Sequence, residues 1–178
     1  MRERLASIAA FTLICAAGLL AAFWLRFTNA PPTSGEYLSR LGAGAGFVAP
    51  GSLAFGGVRF ECGRRPTVLA PGFEDYAAAF PGFLIVNPER FPKLTLIVQR
   101  WAWAHECGHQ FVGRDELAAD CYAIATGRAQ GWLDAAGMDA ICAFISRAPG
   151  GSNHPPGVQR CAVMRKCFAR ARVGLEAP

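Results

Sequence analysis

The stretch HECGHQFVGRDELAAD, residues 105–120, constrains the fold of this chain more than any other. His105 and His109 lie four residues apart, so on a helix both imidazoles project from one face and could hold one zinc ion. Glu106 lies beside them and could act on a zinc-bound water. Cys107 projects to roughly the opposite face of such a helix, so we do not expect it to be a ligand.

A zinc site of this kind needs a third protein ligand, and Glu116 is the candidate. On one continuous helix Glu116 would lie about 10 Å along the axis from His109, beyond reach of the metal. The chain must therefore turn between them. Gly113 suits the end of the first helix and Asp115 suits the N-cap of a second. A second helix that folds back would bring Glu116 to the metal, with Asp120 on the same face to accept a hydrogen bond from a ligand imidazole.

Two alternatives to Glu116 as a ligand stay open. Asp115 lies six residues after the second histidine, where another zinc motif has its third histidine. That motif has its glycine three residues after the second histidine, whereas Gly113 lies four residues after His109, so Asp115 is the weaker candidate. Glu116 could also be only a favourable acid at a helix start, stabilised by the helix dipole. Its predicted role depends on the two motifs occurring together.

The combined motifs resemble those of a known family. H-E-x-x-H followed by E-x-x-x-D is the pattern of the gluzincin zinc metallopeptidases, and HPPGVQR at 154–160 is similar to the H-P-x-x-x-x-R of the HtpX and CAAX-prenyl-endopeptidase type. The resemblance extends from His105 to Arg160, and all three histidines of the chain fall on motif positions. It implies a peptidase with Zn²⁺ as its cofactor.

The resemblance also implies roles for residues around the metal. His154 would stabilise the developing oxyanion, and Arg160 would organise the site through a carboxylate, with that of Asp120 as the candidate. A histidine in a Pro-Gly loop is otherwise a plain surface residue. In this architecture the strand before the active-site helix often binds an extended substrate by β-augmentation. The segment GFLIVNP at 82–88 has that position, and a fully buried strand is the alternative.

The predicted function is therefore a zinc-dependent endopeptidase that hydrolyses extracytoplasmic or membrane-associated proteins through a zinc-bound water. One alternative is a catalytically inactive, zinc-stabilised protein-binding module at the membrane. Another is a structural membrane protein in which the motif is accidental. The intact Glu106 argues against the inactive module, because binding alone needs no general base.

The N-terminal segment is an apolar run that indicates membrane insertion or export. Arg2 and Arg4 precede the uncharged residues 5–25, which are about long enough to span a bilayer as a helix. We predict an uncleaved signal anchor, which gives a single-pass inner-membrane protein with a periplasmic catalytic domain. The alternative is a signal peptide cleaved after Ala30 and a secreted product. Either interpretation places the chain from Pro31 onwards outside the cytoplasm.

The cysteine content agrees with export. Besides Cys15 the chain has an even set of six cysteines, which in an exported domain predicts disulfides. Cys161 and Cys167 are six residues apart on a predicted helix, too far to pair with each other. Buried free thiols are the alternative. The six are Cys62, Cys107, Cys121, Cys142, Cys161 and Cys167.

The predicted organisation is a leader, a tether and one domain. Residues 1–30 form the signal anchor or signal peptide, and residues 31–56, rich in Gly and Pro, form a flexible tether with little regular structure. Residues 57–178 form the metallopeptidase domain. Its fold class is α+β, with a small β-sheet packed on a mainly helical, zincin-like half.

Within the domain, patterning predicts one or two short strands in 57–69, a loop with at most a helical turn at 71–82, and a strand at 82–88. Trp101 and Trp103 are expected in the core or an interface. The predicted helices cover 92–112, 115–127, 139–146 and 157–172.

The net charge is +5 and the sequence pI is about 9.0. The basic residues are scattered, and the single cluster, at 160–172, lacks a recognised nucleic-acid motif. The predicted partners are therefore a protein or peptide substrate and a membrane, the latter through the N-terminal helix, and not nucleic acid.

Overall fold

The structure, a computed structural model, describes residues 14–15, 17–21, 30–152 and 154–171. The chain divides into two compact units, Met1–Pro32 and Thr33–Pro178. Most of the predicted signal anchor lies outside the described residues. Among those described, no helix combines the length and the apolar character that crossing a membrane requires.

The second unit is α+β, as predicted from the sequence. Its described strands are β1 Gly46–Val48, β2 Leu53–Phe55, β3 Val58–Phe60, β4 Thr67–Leu69, β5 Ala77–Phe80 and β6 Phe83–Val86. Its described α-helices are α1 Ser34–Ser39, α2 Leu96–Val112, α3 Glu116–Ala129, α4 Ala135–Ile145 and α5 Gly157–Arg170, with a 3₁₀ turn at Phe91–Lys93.

The main sheet has the strand order β1-β4-β6-β5, and β2 and β3 form a separate hairpin. β4 and β6 are parallel, whereas β1 and β5 each pair in the antiparallel direction. All four residues of β6 are buried, because successive side chains alternate between two cores. Leu84 and Val86 face the core shared with the helices, while Phe83 and Ile85 face a smaller core that includes α1 residues.

This topology corrects the prediction that the segment 82–88 binds substrate by β-augmentation. β6 is hydrogen-bonded to β4 on one side and to β5 on the other, so no peptide can add to it. The alternative, a fully buried strand, is confirmed. In the described part of the chain β5 has a strand neighbour on one side only, so it is an edge of the sheet.

The prediction that residues 31–56 have little regular structure is wrong. This segment contains α1, β1 and β2. Thr33 starts α1 with a capping box, in which its hydroxyl accepts from the Glu36 N–H and the Glu36 carboxylate accepts from the Thr33 N–H. β1 then pairs with β4 and β2 with β3. The pairing partners lie far along the chain or after a Gly-Gly turn, so local composition concealed them.

Two further boundaries differ from prediction. The segment 71–82, predicted as a loop, contains β5, whose three alanines have little strand propensity of their own but pair with β6. The helix predicted to begin at Asp139 begins at Ala135, because Asp134 caps it by accepting from the Gly137 N–H at 2.7 Å.

Three disulfides join the six cysteines that follow Cys15, which confirms the disulfide prediction. The pairs are Cys62–Cys107, Cys121–Cys167 and Cys142–Cys161. As predicted, Cys161 and Cys167 do not pair with each other, and Cys107 is not available as a metal ligand. Trp101 and Trp103 are buried in the core, also as predicted.

Candidate metal centre

The chain turns between α2 and α3 where the sequence predicted. α2 ends at Val112, and Gly113 follows with a φ of 74° that favours glycine. The Asp115 carboxylate caps α3 by accepting from the N–H groups of Leu117 and Ala118, each at 3.0 Å. Because its carboxylate is engaged as this N-cap, Asp115, the weaker alternative ligand, already has a structural role. Glu116 follows as the first residue of α3.

The fold brings the three predicted ligands together. His105 Nε2 lies 3.1 Å from His109 Nε2 and 3.2 Å from Glu116 Oε2, and His109 Nε2 lies 3.5 Å from Glu116 Oε1. Ligand bonds of 2.0–2.1 Å around a tetrahedral zinc ion would separate neighbouring ligand atoms by about 3.3 Å. The cluster therefore has the dimensions of one face of a zinc coordination tetrahedron, and these three residues could hold a metal ion.

The ring nitrogens on the far side of each imidazole are already engaged. His105 Nδ1 lies 3.0 Å from Asp120 Oδ1, and His109 Nδ1 lies 2.6 Å from the Gly113 carbonyl oxygen. The Asp120 carboxylate and the Gly113 carbonyl only accept, so each Nδ1 can donate to them, although Arg160 Nη2 also lies 3.3 Å from His105 Nδ1 and 3.4 Å from its Nε2. In neutral rings that donate from Nδ1, each Nε2 presents a lone pair. Two lone pairs facing each other at 3.1 Å repel unless a proton or a metal ion lies between them.

Glu116 contributes a second sign of an incomplete site. Its Oε2 atom is buried and has no hydrogen-bond partner of good geometry among the described residues, although His105 Nε2 lies 3.2 Å away. A buried carboxylate oxygen without a partner is costly in a folded protein. A cation held with His105 and His109 would remove that cost, so the residues present fit a metal ion.

Asp120 and Arg160 support the ligands from α3 and α5. The Arg160 guanidinium donates to both carboxylate oxygens of Asp120, each at 2.8 Å, and both side chains are buried. Asp120 in turn holds His105. Asp120 thus contacts both His105 and Arg160 and links this group of residues to α5, while the roles of Asp120 and Arg160 at a metal centre stay predictions.

Burial and charge shift the pKa values of the metal-free site. Burial alone would lower the pKa of His105, but the neighbouring carboxylates of Asp120 and Glu116 raise it to about 9. Burial would raise the pKa of Glu116, but the neighbouring His105 and His109 bring that pKa well below its usual range. In the metal-free site both shifts favour a protonated His105 beside an ionised Glu116.

Glu106 is the other carboxylate of the centre. Burial raises its pKa to about 7, while the neighbouring His105 and His109 lower it. A carboxylate with a pKa near neutrality can both accept and return a proton. The position of Glu106 on α2 beside the ligands is as predicted.

His154 lies on the open side of the cluster. Its Nε2 atom is 3.4 Å from Glu116 Oε1, and its side chain is 56% exposed. The long loop before α5 thus brings this histidine to the metal ligands and not to a remote surface. Its proximity agrees with the resemblance, while its catalytic role remains a prediction.

Two residues that position the site were missed in the sequence. A Cβ atom on Gly108 would lie 3.1 Å from a ring carbon of Tyr122 and 3.3 Å from the Cα of Ala119, so glycine lets α3 approach α2 behind the ligands. The Gln110 side chain bonds to the β5–β6 turn. Gly108 occupies a variable position of the H-E-x-x-H motif and Gln110 follows the motif, so nothing in the motif pointed to them.

Comparison with known proteins gives no family for this chain. No protein-family model matches it, and neither a curated protein nor a solved structure is significantly similar. Its function is therefore inferred from the residues of the site.

Proposed function

We propose that this chain is a zinc-dependent endopeptidase of the gluzincin type that hydrolyses extracytoplasmic or membrane-associated proteins. The observation that carries the proposal is the group formed by His105, His109 and Glu116. Their ligand atoms lie 3.1 to 3.5 Å apart, and each imidazole already donates from its other nitrogen. Two histidines and one glutamate are also a ligand set that catalytic zinc sites use, with the fourth position open.

A zinc ion at this site would supply Lewis acidity, polarising a peptide carbonyl and lowering the pKa of a water molecule. Glu106 accepts a proton from the attacking water and later gives it to the leaving amine. His154, on the open side, donates a hydrogen bond to the oxygen on which negative charge develops. Asp120 and Arg160 hold the His105 ring in one orientation.

The edge strand β5 is the proposed docking site for an extended substrate. β5 packs against α2, the helix that carries both histidines. Its free edge can pair with a peptide by main-chain hydrogen bonds. In this proposal the substrate strand binds beside β5 and its scissile bond reaches the metal. The sheet edge and the two ligand helices together would form the zincin-like half of the fold.

The proposed location is outside the cytoplasm. Three disulfides favour an oxidising compartment. The membrane anchor at residues 1–30, with the alternative of secretion after cleavage, remains part of the proposal. The proposed partners are accordingly a protein or peptide substrate and the membrane.

Metal analysis combined with a hydrolysis assay tests the proposal. The wild-type full chain should contain about one zinc ion and hydrolyse casein, and a chelator should abolish hydrolysis. Glu106→Gln should keep the zinc but lose at least about 100-fold in hydrolysis. Glu89→Gln, at an exposed glutamate, is the matched control and should behave as the wild type.

Three outcomes count against the proposal. Full activity in Glu106→Gln would rule out the general base. Zinc without hydrolysis in the wild type would favour the inactive binding module. A wild-type chain that contains no zinc would indicate that the H-E-x-x-H motif is accidental.

A further inference from the structure

The Gln110 side chain joins the metal-ligand helix α2 to the tip of the β5–β6 hairpin. Its Nε2 donates to the carbonyl oxygens of Phe80 at 2.7 Å and of Phe83 at 3.3 Å. Its Oε1 accepts from the Gly82 N–H at 3.0 Å and from Arg65 Nε at 3.1 Å. The primary amide thus uses both of its hydrogens and both acceptor positions of its oxygen.

The turn that Gln110 holds is unfavourable for a hairpin. Phe80 pairs with Phe83, so the connection has only two residues, Pro81 and Gly82. Such short connections favour turns with a positive φ at the first position, which the proline ring excludes. Gly82 has a φ of 87°, as the second position of a type II turn requires. Turns of this type splay the strands, so the hairpin needs support from outside.

Gln110 supplies that support on one side of the hairpin, and an aromatic cluster supplies it on the other. The rings of Phe80 and Phe83 are stacked with centroids 5.3 Å apart, and the ring of Tyr37 lies within 5.6 Å of both. The aromatic cluster fixes the hairpin to α1. Among the hydrogen bonds of the described residues, those of Gln110 tie the hairpin tip to α2, one residue after His109.

We propose that Gln110 is a positioning residue that couples the edge strand β5 to the metal ligands, so that metal binding and the geometry of the peptide-binding edge depend on each other. β5 ends and β6 begins at the turn to which Gln110 is hydrogen-bonded. His109 directly precedes Gln110 on the same rigid helix, α2. Ordering the ligands with a metal therefore orders the hairpin. The part of this proposal that concerns substrate rests on the proposed peptidase function, whereas the coupling does not.

Hydrogen exchange of the full chain, with zinc and with chelator, tests the coupling. Zinc should slow exchange of the amides in 77–86 by about tenfold in the wild type. Gln110→Met keeps the volume but removes all four hydrogen bonds, and the zinc effect there should fall below about twofold. Gln99→Met is the matched control on the same helix. Its side chain donates to Leu94 and Pro92 carbonyls at the start of α2, so the full zinc effect on the hairpin should remain.

A second variant and a kinetic measurement sharpen the test. Gln110→Glu keeps the acceptor for Gly82 and Arg65 but cannot donate to the two carbonyls. It should therefore lose most of the coupling. If Gln110→Met does not fold, hydrogen exchange of Gln110→Glu tests the coupling in its place. In both variants the KM for peptides should rise about fivefold, with kcat within about twofold and the zinc content unchanged.

The outcomes separate the two proposals. An equal zinc effect on the hairpin in wild type and Gln110 variants would overturn the inference, and so would a wild-type hairpin that zinc leaves unchanged. A chain that shows the coupling but hydrolyses no peptide would overturn the peptidase proposal alone.

Discussion

The two faces of α2 are fixed by different kinds of interaction. The front face carries His105, Glu106 and His109, whose arrangement without a metal holds charge and lone pairs close together. The back face carries Cys107, which is bonded to Cys62, and Trp103, whose Nε1 donates to the Glu61 carbonyl at 3.1 Å. A cavity of about 560 Å³ lies on this back face, away from the ligands. The back face is thus held by a crosslink and a hydrogen bond that need no cation, whereas the front face carries the groups that could hold one.

The other two disulfides likewise stabilise the backbone behind residues of the site. Each disulfide contains one cysteine directly next to a residue of the site: Cys107 follows Glu106, Cys121 follows Asp120, and Cys161 follows Arg160. The disulfides therefore fix the backbone directly beside the site residues. We therefore expect the domain to fold without the metal.

The largest expected effect is on the front face. His109→Gln removes one ligand, so the chain should lose its zinc and its hydrolytic activity. Because the back face is intact, the free energy of unfolding in chelator should change by less than about 1 kcal/mol. Metal analysis and urea unfolding measure the two quantities. Unfolding of this variant in chelator, with the wild type still folded, would contradict the separation of the faces.

The next effect is on the back face. Replacing both Cys62 and Cys107 by alanine opens a loop with a sequence separation of 45, which should lower the free energy of unfolding in chelator by about 4 kcal/mol. The folded protein should still bind zinc. The matched control is the pair Cys142 and Cys161, whose separation of 19 predicts a smaller loss of about 3 kcal/mol. Unchanged stability with lost zinc would reverse the assignment of the faces.

An intermediate effect is expected behind the ligands. Asp120→Asn leaves Arg160 buried without its carboxylate partner and weakens the hold on His105, so zinc affinity should fall about 10- to 100-fold. Asp139→Asn breaks an exposed ion pair with Arg165 at 2.8 Å and should leave zinc affinity unchanged. Competition with a chromophoric chelator measures both. Equal affinities in the two variants would show that Asp120 does not orient the ligand.

The last expected effect concerns pH in the metal-free protein. The pKa of His105 is raised to about 9 in the folded chain, above the value of about 6.5 expected on unfolding. Its contribution to stability is therefore fully present below pH 6.5 and is lost as the pH rises to about 9. Urea unfolding in chelator should show this decline, and His105→Gln should flatten it. A rise in stability across this window would contradict the raised pKa of His105.

The helical half could be predicted from the sequence because its signals are local. Gly113 and Asp115 mark a helix end and a helix start, and Glu116 and Asp120 keep a four-residue spacing that places them on one face. The sheet could not be predicted so well. The alanines of β5 carry little strand propensity, and β1 finds its partner β4 about twenty residues later in the chain.

The support of the site was also beyond the sequence. Gly108 and Gln110 act through contacts with Tyr122 and with the hairpin turn, which only the tertiary fold brings together. The same holds for the disulfide pairs, since six cysteines permit many pairings. The candidate metal ligands could be predicted from the motif, whereas the packing that positions them could not.

X-ray absorption spectroscopy at the zinc edge of the metal-loaded full chain tests the assignment of the metal centre. The spectrum should show two imidazole nitrogens and light oxygen ligands at about 2.0–2.1 Å, with no sulfur. Loss of one imidazole shell in His109→Gln would identify the residue. A sulfur scatterer at about 2.3 Å, or a shell without imidazole, would contradict the assignment of His105, His109 and Glu116 as the metal centre.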